Sequence, residues 1–224
     1  MTAETEDRKP PNPWMARWSV FSVLLVAVCI IAAVTISALT WWEQRTWERD
    51  VTVAACERPT SKDYRLSGVL PVQDWAPIGA SLLPVTDFGP SREEDGAPVC
   101  YEQSPQGAAM AAVHIVTLGA NGETSTVLEH MAADTDATRT MAEMVDTETV
   151  PSTPARAVAV RLEDYTVEEA SVTVVASTAH GDLAQTVDLV WEDGDWKWDT
   201  PTESVPVSPV TNLSGYNTLG GTDG

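Results

Sequence analysis

The sequence lacks most of what marks an enzyme or a nucleic-acid-binding domain. It contains no GxGxxG, no Walker loop, no HExxH, no CxxC and no GxSxG, so dinucleotide, P-loop, zincin and nucleophile-elbow chemistries have no motif to rest on. Positive charge is also scarce. There are 13 Lys and Arg against 33 Asp and Glu, a formal charge of −20. Residues 1–42 balance Arg8, Lys9 and Arg17 against Glu4, Glu6 and Asp7, so the whole excess falls on residues 43–224. A domain that acidic does not neutralise phosphates, which argues against direct nucleic-acid binding. Anionic lipid head groups repel it too. Cysteine and histidine number three each, and Cys56 and Cys100 fail as a metal pair for want of two further ligands.

What is present is one long apolar run. No residue from Ser19 to Thr40 is charged. At about 1.5 Å per residue that run reaches about 33 Å as a helix, enough to cross a hydrocarbon core. Trp14 and Trp18 precede it and Trp41 and Trp42 follow it, as two interfacial belts would. The run is longer than the core of a signal peptide. The expectation is a single transmembrane helix over 19–42. Val53-Ala54-Ala55-Cys56 resembles a lipobox, but Glu43, Arg45, Glu48, Arg49 and Asp50 separate it from the apolar run, so the match reads as coincidence. Flanking charge does not orient the helix, because Arg8, Lys9 and Arg17 face Arg45, Arg49 and Arg58. The cysteines do. Cys29 lies inside the span; Cys56 and Cys100 lie beyond it. Two cysteines in an exported domain point to one disulfide, the alternative being two unrelated buried thiols. The predicted arrangement is a cytoplasmic tail at 1–18 and an extracytoplasmic domain.

Residues 43–65 read as a connector. Residues 66–98 are rich in Pro and Gly, and are expected to wrap the surface with little regular structure beyond a short strand or turn. Ser104-Pro105 supplies an N-cap and an N1 proline for a buried helix closing at Gly119. Shorter helices are expected at about 124–131 and 135–145. Period two then takes over. Val158, Val160 and Leu162 form one face; Ala170, Val172, Val174 and Ala176 form another. His180-Gly181-Asp182 is a turn, and Leu183, Val187, Leu189 and Trp191 alternate after it. Asp193-Gly194 is a hairpin signal, with Trp196 and Trp198 facing the core beyond it. Residues 200–224 read as a flexible tail. The fold class is α+β: a domain at 66–199 in which about three helices pack on a curled antiparallel sheet of about four strands, the long helix filling a cone.

Several short motifs carry a resemblance. Cys100-Tyr101-Glu102-Gln103-Ser104-Pro105-Gln106-Gly107-Ala108 is one. Asp74-Trp75-Ala76-Pro77-Ile78-Gly79, Phe88-Gly89-Pro90 and Leu213-Ser214-Gly215-Tyr216 are others. Val190-Trp191-Glu192-Asp193-Gly194-Asp195-Trp196-Lys197 looks like the closing hairpin of nuclear-transport-factor-2-like domains. Together, over about 66–221, they are similar to single-span membrane proteins carried by conjugative and integrative elements of high-GC Gram-positive bacteria. The resemblance implies an accessory subunit of a conjugative, type IV-like DNA-transfer apparatus. It implies partners among the other membrane subunits and the chain itself. It carries no catalytic residue, cofactor, metal or small-molecule ligand.

Candidate chemistry competes with plainer roles. His114, on the buried helix, could be a general base in a pocket of the cone, but a hydrogen-bonded core histidine is the commoner case. His130 suits a helix end and His180 a solvated turn. Glu192, Asp193 and Asp195 lack the EF-hand spacing and are explained by a hairpin tip. Glu163, Asp164, Glu168 and Glu169 read as a solvated acidic edge. Trp191, Trp196 and Trp198 could form a carbohydrate platform, though core packing explains them better. The expectation is a non-enzymatic scaffold. The alternatives are an enzyme of the same cone fold with a pocket near His114, and a cell-envelope binding or sensor module.

Overall fold

The structure, a computed structural model, describes Cys56 and residues 65–66, 68–78, 81–147 and 153–221. The expected span at 19–42, its tryptophans Trp14, Trp18, Trp41 and Trp42, the tail at 1–18 and most of the connector lie outside the described residues. Among the described residues no helix is long and apolar enough to cross a membrane.

The described part is α+β, three helices against a curled sheet. The centre of the sheet is an antiparallel meander of β6 (Ala155–Tyr165), β7 (Glu169–Thr178) and β8 (Gly181–Glu192). β9 (Asp195–Trp198) folds back on the end of β8. Asp193 and Gly194 between them both take positive φ, 51° and 80°, as the expected Asp-Gly turn requires. Ala170, Val172, Val174 and Ala176 share one buried face with Val187, Leu189, Trp196 and Trp198.

That face is covered by α1 (Pro105–Ala120), buried from Gly107 to Leu118. Ser104 caps it as expected, its hydroxyl accepting from Gly107 N at 3.1 Å. The stop is one turn later than predicted. Gly119 is helical; Asn121 N reaches the Thr117 and Leu118 carbonyls, and Gly122, at φ 93°, takes the left-handed position that only glycine adopts freely. α2 (Thr124–Thr126) runs directly into a π-helical turn, Val127–Met131. α3 (Asp136–Thr147) follows, with Thr135 Oγ1 accepting from Thr138 N at 3.1 Å.

Three expectations fail. The 66–98 wrap is not irregular. It contains β1 (Leu70–Val72), a hairpin of β2 (Asp74–Ile78) and β3 (Ser81–Val85), and a second of β4 (Arg92–Glu94) and β5 (Ala97–Val99). Prolines sit within these strands because each strand is an edge, where one side of the backbone needs no donor. Residues 200–221 are not a tail either. β10 (Val207–Val210) pairs with the start of β8, and β11 (Asn217–Gly221) lies between β6 and β1. The main sheet therefore has seven strands, in the order β1-β11-β6-β7-β8-β10 with β9 also on β8, rather than about four. Finally, Val158 and Val160 do not share a face. A bulge between Ala157 and Ala159 shifts the register. It turns Val158 to the outer face with Ala159, and Val160 to the core with Ala157. One extra residue inverts a period-two reading.

β10 and β11 flank the meander on opposite edges, so residues 211–216 must cross one of its faces. They cross the face away from α1, where Val210, Leu213 and Tyr216 pack on Ala159, Val175 and Ala184.

Candidate functional site

The residues singled out in the sequence converge at the start of α1. Cys100 and Cys56 form the expected disulfide. Closing a loop of separation 44 is worth about 4 kcal/mol in the chain-entropy model. Cys100 takes φ 68°, which aims its own N–H and that of Tyr101 the same way. The Asp195 carboxylate receives both, from Cys100 N at 2.8 Å and Tyr101 N at 2.9 Å, along with its neighbour Trp196 N at 2.9 Å. Asp195 is thus buried rather than a solvated hairpin-tip residue. Successive N–H groups make an anion cradle, and here the chain fills the cradle itself. Burial raises the carboxyl's pKa, and the three N–H bonds and Lys197 oppose that rise.

The same two segments meet a second time. Trp196 Nε1 donates to Glu102 O at 3.0 Å. The Glu102 carbonyl also lies against Gly107, where a Cβ would stand 1.9 Å from that oxygen. A third motif joins them: Glu102 N donates to Phe88 O at 2.9 Å, and a Cβ on Gly89 would stand 2.8 Å from Tyr101 Cα. The Phe-Gly-Pro, Ser-Pro-x-Gly and Asp-Gly-x-Trp motifs are therefore one interlocked joint. Gly89 and Gly107 each mark a close backbone approach.

His114 lies one layer deeper, with no solvent exposure. Its Nε2 is 2.9 Å from Pro84 O and its Nδ1 is 2.5 Å from Tyr101 Oη. A carbonyl only accepts, so Nε2 carries the hydrogen and Nδ1 accepts from the Tyr101 hydroxyl. Burial pushes its pKa down to about 4, against the Pro84 bond. Burial, then the Asp195 charge, pushes the Tyr101 hydroxyl well up. Both ring nitrogens of His114 thus have partners within the core. Met110, Val113 and Leu118 of the same helix are fully buried in the core.

The other candidates have structural partners. The His130 carbonyl accepts from Lys197 Nζ at 2.6 Å, at the end of the π-helical turn. His180 is exposed in the β7–β8 turn. Trp196 and Trp198 are core residues. Trp191 stands edge-on to Trp196 at 5.3 Å, so the tryptophans pack on one another rather than form an open platform. Glu163 is exposed, as expected of the acidic edge, and is held there by neighbours. It takes Arg161 at 2.7 Å and Thr173 at 2.5 Å within the sheet, and Arg161 holds its carboxyl below the usual range. No group of His, Cys, Asp and Glu among the described residues is arranged to hold a metal ion.

Two clefts open elsewhere. One of about 510 Å³ runs along α3, between Ala137, Met141 and Met144 on one side and Pro201–Ser204 on the other. A smaller one, about 220 Å³, is ringed by Asp164, Glu169, Asp188 and Asp199. His114 lines neither.

Over residues 41–218 the chain matches the family described as a domain of unknown function, DUF8175, and it belongs to that family. No curated protein matches the chain, and no solved structure does.

Proposed function

We propose that this chain is a membrane-anchored accessory subunit of a conjugative, type IV-like DNA-transfer apparatus. In this reading its exported domain is a cone of the nuclear-transport-factor-2-like kind and works by protein–protein contact rather than catalysis. The observation that carries the non-catalytic part is the filled concave face. An enzyme of a cone fold needs an open cavity with convergent polar groups there. Here Met110, Val113, Tyr101 and Trp196 occupy that space, and His114 is bonded on both sides. The anchor rests on the uncharged run from Ser19 to Thr40 and its flanking tryptophans. The place in DNA transfer rests on the resemblance of the interlocked motifs.

Transfer frequency from a host element tests the proposal, with variants compared at matched abundance. Deleting 19–40 should abolish transfer, and His114→Gln should leave it within about twofold of the parent. A folded His114→Gln chain that is inactive in transfer would hand the site back to the enzyme reading. Normal transfer by the released domain would remove the anchor. Orientation is tested separately by a reporter active only outside the membrane, fused after residue 221.

A further inference from the structure

Residues 201–221 form a strap. It leaves β9, pairs with β8 as β10, crosses the outer face of the meander, and pairs with β6 and β1 as β11. We infer that this strap is exchangeable, and that the partner fitting the slots beneath it is a second copy of this chain.

Three observations carry the inference. First, the strap is shallowly held. Thr200 is buried, its hydroxyl 2.7 Å from Thr138 Oγ1, yet none of residues 201–220 is buried. Residues under the strap are: Ala159 and Val175 have no exposure. The strap thus contributes backbone pairing and half-buried side chains, and only Val205 and Leu219 of it pack against the edge of the α1 core. Such a segment opens locally at a fraction of the global free energy. Second, its slots are specific. Opening would bare three strand edges, on β6, β8 and β1, plus an apolar patch on an otherwise polar face. Gly220 lies close to the residue before β1, where a Cβ would meet Val69 Cγ1 at 2.5 Å. A sequence that satisfies the three edges and the patch in these registers is the strap's own. Third, a hinge is present. Residues 201–206, Pro-Thr-Glu-Ser-Val-Pro, carry no helix or strand. Prolines at both ends favour an extended backbone over a turn back onto the same sheet. Exchange of an identical element preserves every contact of the closed monomer and costs little.

The test uses the full-length chain with Cys29→Ser, carrying two different tags and co-produced in one membrane. One tagged form bears Gln185→Cys and the other Val207→Cys, positions that face each other across β8 and β10. With a short bismaleimide, mixed-tag dimers should exceed by severalfold those from Gln185→Cys mixed with Asp193→Cys, at the far end of β8. In a second measurement, light scattering in detergent should show a concentration-dependent dimer for the parent. A Gln185→Cys/Val207→Cys chain first closed within itself should stay monomeric. Mixed dimers at the control level, with the double variant closing readily within one chain, overturn the inference. So does a parent that is monomeric at every concentration. Predominant Val207→Cys homodimers overturn it as well, since they report side-by-side pairing of β10 edges.

Discussion

On the inner face of the sheet, Val160, Val172, Val174, Val187 and Leu189 meet α1 with at most 1% of their surface exposed. On the outer face only Ala159, Val175 and Ala184 form a cluster, and what covers them is a strap whose own side chains stay half in water. The inner face is fixed by shape: large side chains, a capped helix, and buried polar groups such as His114 and Asp195 held by partners. The outer face is fixed by backbone pairing at two edges. Shape-fixed interfaces fail sharply when one atom is added or removed. Edge-paired segments yield by degrees. The two faces of one sheet should therefore respond unequally to substitution.

The largest effect is expected from Gly107→Ala. The new Cβ would lie 1.9 Å from the Glu102 carbonyl oxygen, a backbone atom that also accepts from Trp196 Nε1. It cannot move without breaking the joint. The variant should show no cooperative urea transition, whereas Gly119→Ala, where a Cβ meets nothing within 4 Å, should fold normally. Equal behaviour of the two would remove the close approach as the reason for that glycine.

Next comes Asp195→Ala. It leaves the N–H groups of Cys100 and Tyr101 without their acceptor in a buried site, at about 1–3 kcal/mol each. A loss of about 4 kcal/mol is expected in urea unfolding. A loss below about 1 kcal/mol would mean that water replaces the carboxylate and that the cradle is not closed.

The third effect depends on pH. The His114 pKa is about 4 in the fold against an ordinary 6.5. Above 6.5 both folded and unfolded chains hold the imidazole neutral, and the stabilisation is intact. As pH falls from 6.5 towards 4 the unfolded chain takes up a proton that the folded chain refuses, and about 3 kcal/mol is lost. Asp195 acts with the opposite sign. Its carboxyl is raised, so the fold takes a proton more readily than the unfolded chain and recovers part of the loss at the acid end. His114→Gln keeps a donor for Pro84 and an acceptor for Tyr101 without titrating. The parent-minus-variant difference in stability should fall by about 3 kcal/mol from pH 6.5 down to 4. A flat difference would place a water path beside His114.

The inner face was largely legible in the sequence, and the outer face was not. Ser104-Pro105, Asp193-Gly194 and the alternation from Ala170 to Ala176 are local signals, and each fell where expected. The single-residue bulge at Ala157–Ala159 left no composition signal and inverted the reading of β6. The strap and the two hairpins at 70–99 were missed for a shared reason. Pro, Gly, Ser and Thr mark turns and tails when taken alone, but edge strands tolerate them because one side of the backbone is unpaired. Pairing across the length of the chain, as of Leu219 with Leu70, has no local signature at all. The disulfide was legible in the count, since Cys56 and Cys100 are the two cysteines outside the apolar run. Asp195 did not follow, because a hairpin tip explained it too easily. The signal for its burial was its place one residue before a core tryptophan, on the strand side of the turn.

The smallest effect belongs to the strap. Leu213 is half-buried over Ala159, Val175 and Ala184, so Leu213→Ala removes a partial transfer term, and the neighbouring chain can settle into the gap. About 1 kcal/mol is expected. Hydrogen exchange is the sharper measure. The amides of β10 and β11 should lose protection in the variant, and those of β7 at Val172 and Val174, facing α1, should keep theirs. Tyr216→Leu makes the companion case. It removes the ring that the Arg161 guanidinium covers at 4.7 Å while keeping an apolar contact, and should cost less than Leu213→Ala. If either substitution strips protection from β7 as well, strap and core unfold as one unit. The two faces would then differ in depth of burial but not in how they fail.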